Sequence, residues 1–116
     1  MNADFVLEEK AADLVNRLHP LRAALRELET TLLRRQAAYG YPLTFIARYR
    51  DQLEATFGLS FPGVQAVLPL VLLKLTRLQH NPHHEDSWLD LAGYALIALT
   101  LLRQEKEEEA SDGDGS

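Results

Sequence analysis

The chain has 116 residues, of which 47% are hydrophobic and none is cysteine, a composition that fits one folded domain and excludes disulfide bonds and thiolate metal sites. The net charge is −5, but residues 105–116 hold six of the seventeen acidic residues and one of the twelve basic ones. Residues 1–104 are therefore neutral, which disfavours general nucleic-acid binding, because nucleic-acid-binding proteins carry a basic surplus.

The first half of the chain predicts two helices. Leucine and alanine dominate the composition and favour an all-α fold of about five helices in a bundle. A helix is expected from residue 5 to 19, and Pro20 either kinks it or opens a second helix that ends at Gly40. The first two helices can thus form one long kinked helix or a coiled-coil-like hairpin.

Heptad spacing runs through these two helices. The spacing predicts a coiled-coil-like seam of about four heptads, which pairs either within the chain or between chains. One row of the seam holds Leu7, Leu14, Leu21 and Leu28, and the other holds Ala11, Leu18, Leu25 and Leu32.

Three further helices are predicted downstream. They cover residues 43–57, residues 61–79 with a kink at Pro69, and residues 84–105. These elements complete a single helical domain over residues 1–104, and the acidic, low-complexity residues 105–116 predict a disordered tail. Neither a secretion signal nor an apolar run of membrane-spanning length is found, so we expect a cytoplasmic protein without a membrane partner.

The start of the last helix carries a cluster of acids. Asp86, Asp90 and Tyr94 share one face at i, i+4 and i+8, with Glu85 beside it. Carboxylates grouped in this way can bind Mg²⁺. Acids in a first helical turn are also favoured by the helix dipole alone, but Asp90 lies one turn further in.

Two basic residues lie on the helix that precedes the acidic last helix. Lys74 and Arg77 are three residues apart on a helix otherwise rich in leucine and valine, and a short loop places this helix beside the acidic one. The two cations can therefore face Asp86 and Asp90. Two interpretations are open: a structural ion-pair network, or a pocket in which cations bind phosphate and acids bind metal.

A third group combines arginines with aromatic rings around Gly40. These residues can hold the phosphates and base of a nucleotide, or can be core rings and helix-terminal cations. The group comprises Arg34, Arg35, Tyr39, Tyr41, Phe45, Arg48, Tyr49 and Arg50.

Three histidines precede the last helix. His80, His83 and His84 lack a standard zinc-binding spacing and are expected to lie on a surface loop.

The order of these motifs resembles a known group of proteins. Arg35 followed by Tyr39-Gly40, then Lys74 to Leu78, then Glu85 to Tyr94 resembles a family of small phage and prophage proteins. That family is distantly similar to the MazG-type all-α nucleoside triphosphate pyrophosphohydrolases. The resemblance covers residues 30–102, and the last motif is the most specific of the three.

The resemblance implies an oligomeric helical protein that handles nucleotides, in the host cytoplasm if the protein is of phage origin. It places Asp86 and Asp90 as catalytic residues, and these two with Glu85 as Mg²⁺ ligands. The nucleotide contacts would be Arg35, Tyr39, Lys74, Arg77 and Tyr94. The early Glu-Glu-x-x-Glu element of MazG-type enzymes is not reproduced at Glu8-Glu9, so both Mg²⁺-dependent hydrolysis and binding without cleavage remain open.

A competing hypothesis comes from a different class of protein. In this alternative the chain is a non-catalytic interaction protein that oligomerises through the seam from Leu7 to Leu32, and its charged pairs are structural. The two hypotheses differ at Asp90. Its replacement should abolish nucleotide binding in the first case and should only destabilise the fold in the second.

Overall fold

A computed structural model describes the backbone of residues 3–114 and the side chains of residues 8–111. The described chain contains helices and no strand, which confirms the all-α prediction, with four α-helices in place of about five. No helix in this range is long and apolar enough to cross a membrane. The elements are α1 (Ala3–Tyr39), α2 (Pro42–Phe57), a 3-10 helix (Gly63–Val67), α3 (Leu68–His80) and α4 (Glu85–Asp114).

Helix α1 is continuous through Pro20, so the predicted hairpin is wrong and the single long helix is correct. The chain forms two compact units, residues 1–33 and residues 34–116, with the boundary inside α1. The single domain expected over residues 1–104 stays a prediction. In the first unit the seam residues from Leu14 to Leu25 are exposed and Leu28 is buried, while the side chain of Leu7 lies outside the described ones.

The predicted helix over residues 61–79 is replaced by a 3-10 helix followed by α3. Pro69 lies in the first turn of α3 and does not kink it. Proline is tolerated at that point, because the first amides of a helix have no carbonyl partner within it. The preceding α2 ends at Gly58, whose φ of 67° is the left-handed conformation that glycine adopts readily.

The core of the second unit is small. Ile46 of α2 packs with Ala66 and Val67 of the 3-10 helix. Around them lie partly buried side chains from the loop, α3 and α4, namely Phe61, Leu70, Val71, Tyr94, Ile97, Ala98 and Leu101. Helices α3 and α4 pack together and are joined by a loop of four residues, 81–84, as the sequence predicted.

Helix α4 continues to Asp114, beyond residue 105, where the sequence predicted that this helix ends. Glu105 is half-buried, and its carboxylate lies where a side chain on Gly63 would stand. Glutamate and lysine are good helix formers, so the acidic composition of this segment does not oppose a helix that is already nucleated upstream. Composition alone therefore placed the end of this helix too early.

Candidate functional site

The loop between α3 and α4 fixes where α4 begins. The backbone N–H of Ser87 donates to Nδ1 of His84 at 3.3 Å, and the Ser87 hydroxyl lies 2.7 Å from the same atom. The His84 imidazole thus caps α4, with its ring proton on Nε2 so that Nδ1 can accept. The indole N–H of Trp88 donates to the carbonyl of Pro82 at 2.8 Å and holds the loop against the first turn.

One face of α4 turns inward from this cap. Ser87, Asp90 and Gly93 are buried, and Tyr94 and Ile97 are half-buried further along the same face. Their spacing of three and four residues is that of a helix packed on one side. The burial of Asp90 is therefore a consequence of its register on α4.

Two cations accompany this carboxylate. Asp90 is 6% exposed, and its Oδ2 lies 2.8 Å from Nζ of Lys74, which is 9% exposed. A buried charge is tolerated only when it is paired, so each residue of this pair makes the burial of the other possible. The sequence had predicted this pairing across the α3–α4 hairpin.

Arg35 is the second cation at Asp90. Its Nη1 forms an ion pair with Oδ1 of the carboxylate, and its side chain is partly exposed. Oδ1 itself is buried and accepts no hydrogen bond of good geometry from the described residues. The two oxygens of Asp90 therefore face two different cations, one from α3 and one from the C-terminal part of α1.

Tyr94 lies one turn further along α4. Burial raises the pKa of its phenol, and the carboxylate of Asp90 raises it further. The cations of Arg35 and Arg77 act in the opposite direction, and Tyr49 of α2 adds a smaller increase in this pKa. The phenol is thus a neutral hydrogen-bond donor at neutral pH, surrounded by charges from α1, α3 and α4.

The remaining predicted site residues are exposed. Arg77 lies close enough to influence Tyr94, whereas Tyr39 forms no hydrogen bond or ion pair with Asp90 or its two cations among the described residues. Glu85 and Asp86 face solvent in the first turn of α4. They do not join Asp90, and the described residues contain no group of three side chains suited to a metal ion.

Sequence reasoning missed two roles and left a third undecided. Tyr49 was placed only in the broad arginine and aromatic group, most of whose other members are exposed. The capping role of His84 and the burial of Ser87 were not predicted. Neither follows from the capping box, in which serine or threonine precedes glutamate or glutamine by three residues, because here a histidine precedes a serine by three residues.

A comparison with protein-family models matches residues 23–102 to a domain of unknown function, DUF6378. The chain belongs to the DUF6378 family. The matched range contains Arg35, Lys74, Asp90 and Tyr94, so the whole arrangement around Asp90 lies within the DUF6378 domain. No curated protein and no solved structure matches the chain significantly.

Proposed function

We propose that this DUF6378 protein binds a nucleotide by the phosphate groups of that nucleotide. The side chains that bind them are Arg35, Lys74 and Arg77, here called the cation cluster. The observation that supports the proposal is the burial of Asp90 between Lys74 and Arg35. A carboxylate in that place fixes the direction of two cationic side chains before any ligand arrives. Fixed cations bind an anion at a lower entropic cost than mobile ones.

The charge of the cluster favours an anionic ligand. Arg35 and Lys74 contact one buried carboxylate, and Arg77 lies near enough to act on Tyr94, so the three cations exceed the negative charge of Asp90 by two. An ammonium has three N–H donors and a guanidinium has five, so Lys74 and Arg35 keep donors that Asp90 does not use. Phosphate oxygens are the acceptors that such donors bind most strongly in proteins.

The rings beside the cations fit the remainder of a nucleotide. Tyr94 brings a hydroxyl donor and aromatic surface within electrostatic reach of Arg35 and Arg77, and Tyr49 lies near enough to Tyr94 to add a second ring. Bases and sugars bind to proteins through stacking and hydrogen bonds of this kind. A site that offered only cations would fit inorganic phosphate equally well, and these rings are the reason to prefer a nucleotide.

The donor set does not fit Mg²⁺. Both oxygens of Asp90 face protein cations, and Glu85 and Asp86 point into solvent. A divalent ion at Asp90 would meet the positive charge of Lys74 and Arg35 at close range. Binding of Mg²⁺ by this chain stays a prediction, and the proposed function is nucleotide binding without metal-dependent hydrolysis.

The test is a calorimetric titration of the full chain with nucleoside triphosphates, the matching nucleosides and pyrophosphate, each with EDTA and with Mg²⁺. We expect triphosphates to bind in EDTA and nucleosides to bind at least tenfold more weakly. Substitution Arg77→Gln should weaken triphosphate binding about tenfold or more, because it removes a charged hydrogen bond. Arg77 is exposed, so the fold should tolerate this change.

Arg103→Gln is the matched control, because Arg103 is an exposed arginine about two and a half turns beyond Tyr94 on α4. It removes the same charge from the chain and should leave the affinity unchanged. Equal losses in the two variants would mean that net charge alone attracts the ligand. The absence of binding to every triphosphate, or binding that depends on Mg²⁺, would overturn the proposal.

A further inference from the structure

The first unit of the chain exposes a row of leucines. Leu14, Leu18, Leu21 and Leu25 of α1 are 44–61% exposed. They alternate at spacings of four and three residues, so they form one apolar stripe along the helix. Moving a leucine side chain out of water lowers the free energy. A stripe of four exposed leucines on one helix therefore indicates a surface that another helix covers.

The spacing defines the kind of surface. In heptad notation Ala11, Leu18 and Leu25 occupy a positions, and Leu14 and Leu21 occupy d positions. Here these five residues are called the α1 seam. Most of them precede residue 23, where the match to the DUF6378 family begins. The α1 seam is therefore largely an addition to the domain that carries the cation cluster.

A seam of this kind is complementary to another heptad helix. Helix α3 has 13 residues, fewer than the 15 that the α1 seam spans, α2 packs Ile46 into the core of the second unit, and the inward face of α4 is occupied by its own core contacts. Exposed leucines at the same spacing also occur on α3, at Leu68, Leu72 and Leu75, but that row is shorter than the α1 seam. A second copy of α1 supplies the same repeat over the same length.

The charged residues beside the α1 seam distinguish parallel from antiparallel pairing of two α1 helices. In a parallel pair Arg17 at a g position would face Arg22 at an e position twice, which is repulsive. In an antiparallel pair that aligns Leu14 with Leu18, Glu8 faces Arg22 twice. In the antiparallel pair Arg17 lies opposite Arg17 of the second copy. The charge of each Arg17 is offset by Asp13, which lies 3.0 Å from it on the same helix.

We propose that α1 pairs antiparallel with α1 of a second copy of this chain, crossing near Asn16. Leu14 packs on Leu18 of the second copy, and Ala11 on its Leu21. The helices overlap over residues 3–29, a length of about 40 Å at 1.5 Å per residue. The dimer brings together two chains, each with its own cation cluster, and does not depend on nucleotide binding.

The test is sedimentation equilibrium of the full chain without nucleotide, which separates this proposal from the proposed function. We expect the wild type to dimerise and Leu18→Asp to raise the dissociation constant at least tenfold. Leu33→Asp is the matched control, since Leu33 is also an exposed leucine of α1, at 62% against 44% for Leu18, but lies outside the α1 seam. Circular dichroism checks that both variants keep their helix content.

Charge reversal tests the direction of pairing. Arg22→Glu and Glu8→Arg should each weaken the dimer about tenfold or more, and the double variant should recover the wild-type affinity. A parallel pair predicts that Arg22→Glu strengthens association, because it removes the repulsion from Arg17. A monomeric wild type, equal effects of Leu18→Asp and Leu33→Asp, or a double variant without recovery would overturn the proposal.

Discussion

Nζ of Lys74 and Oδ2 of Asp90 lie 2.8 Å apart, and both side chains are about nine-tenths buried. This contact joins α3 to α4 in the interior of the second unit. Two ions in such a place lose most of their hydration, and their attraction offsets that loss only while both are present. Removing either residue therefore leaves a buried charge without this partner, and that unpaired charge destabilises the fold.

The first prediction concerns this dependence. Lys74→Met and Asp90→Leu should each lower the free energy of unfolding by about 3 kcal/mol or more, since each leaves a buried charge short of a partner. The double variant should lose much less than the sum of the two single losses. Urea unfolding measures all four proteins, and the double-mutant cycle gives the coupling energy.

The exposed pair Asp13 and Arg17 is the control for that cycle. Alanine at both positions should show a coupling below about 0.5 kcal/mol, because solvent and salt screen exposed charges. Similar coupling in the two cycles would contradict the view that burial makes the Lys74–Asp90 pair strong.

The second prediction follows from the raised pKa of Tyr94. A phenol that holds its proton more tightly in the folded state stabilises the fold below the unfolded pKa of 10.0, and this contribution is lost as pH rises beyond it. The free energy of unfolding of the wild type should therefore fall above pH about 10 more steeply than that of Tyr94→Phe. Thermal melts across that range measure the difference, and parallel curves for the two proteins would refute it.

The all-α class and the meeting of Lys74 with Asp90 could be predicted from the sequence, because both depend on local periodicity and a short loop. A helix that follows another after four residues packs against it, and residues at i, i+4 and i+8 share a face. Arg35 was harder to place beside Asp90. Its pairing depends on where a helix 50 residues earlier ends, which local pattern does not determine.

The sequence also could not predict which of the acidic residues of α4 is buried. Glu85, Asp86 and Asp90 have similar chemistry and spacing, and the sequence grouped them as possible Mg²⁺ ligands. The structure separates them, because the first two precede the buried face that begins at Ser87. Which residue of an acidic run turns inward is decided by the packing of α3 and not by composition.

A third prediction tests the cap of α4. His84→Ala should lower the free energy of unfolding by about 1 kcal/mol, because the amide of Ser87 loses its acceptor. His84→Ser should keep most of the stability, since serine accepts from the same turn of backbone. His83→Ala, at the exposed neighbour, should have no measurable effect in chemical denaturation. Equal losses at His83 and His84 would exclude a specific cap.

The last prediction concerns the contact between the 3-10 helix and the end of α4. Gly58 and Gly63 both have positive φ, at 67° and 56°, so alanine at either position strains the backbone by about 1–2 kcal/mol. Only at Gly63 would the new methyl group also collide with the carboxylate of Glu105. The carboxylate ends a flexible side chain that can swing aside, so Gly63→Ala should be only slightly more destabilising than Gly58→Ala in urea unfolding, and adding Glu105→Ala should remove that small excess. If the excess persisted after that truncation, Glu105 would not be packed against Gly63, and the extension of α4 beyond residue 105 would lack this tertiary support.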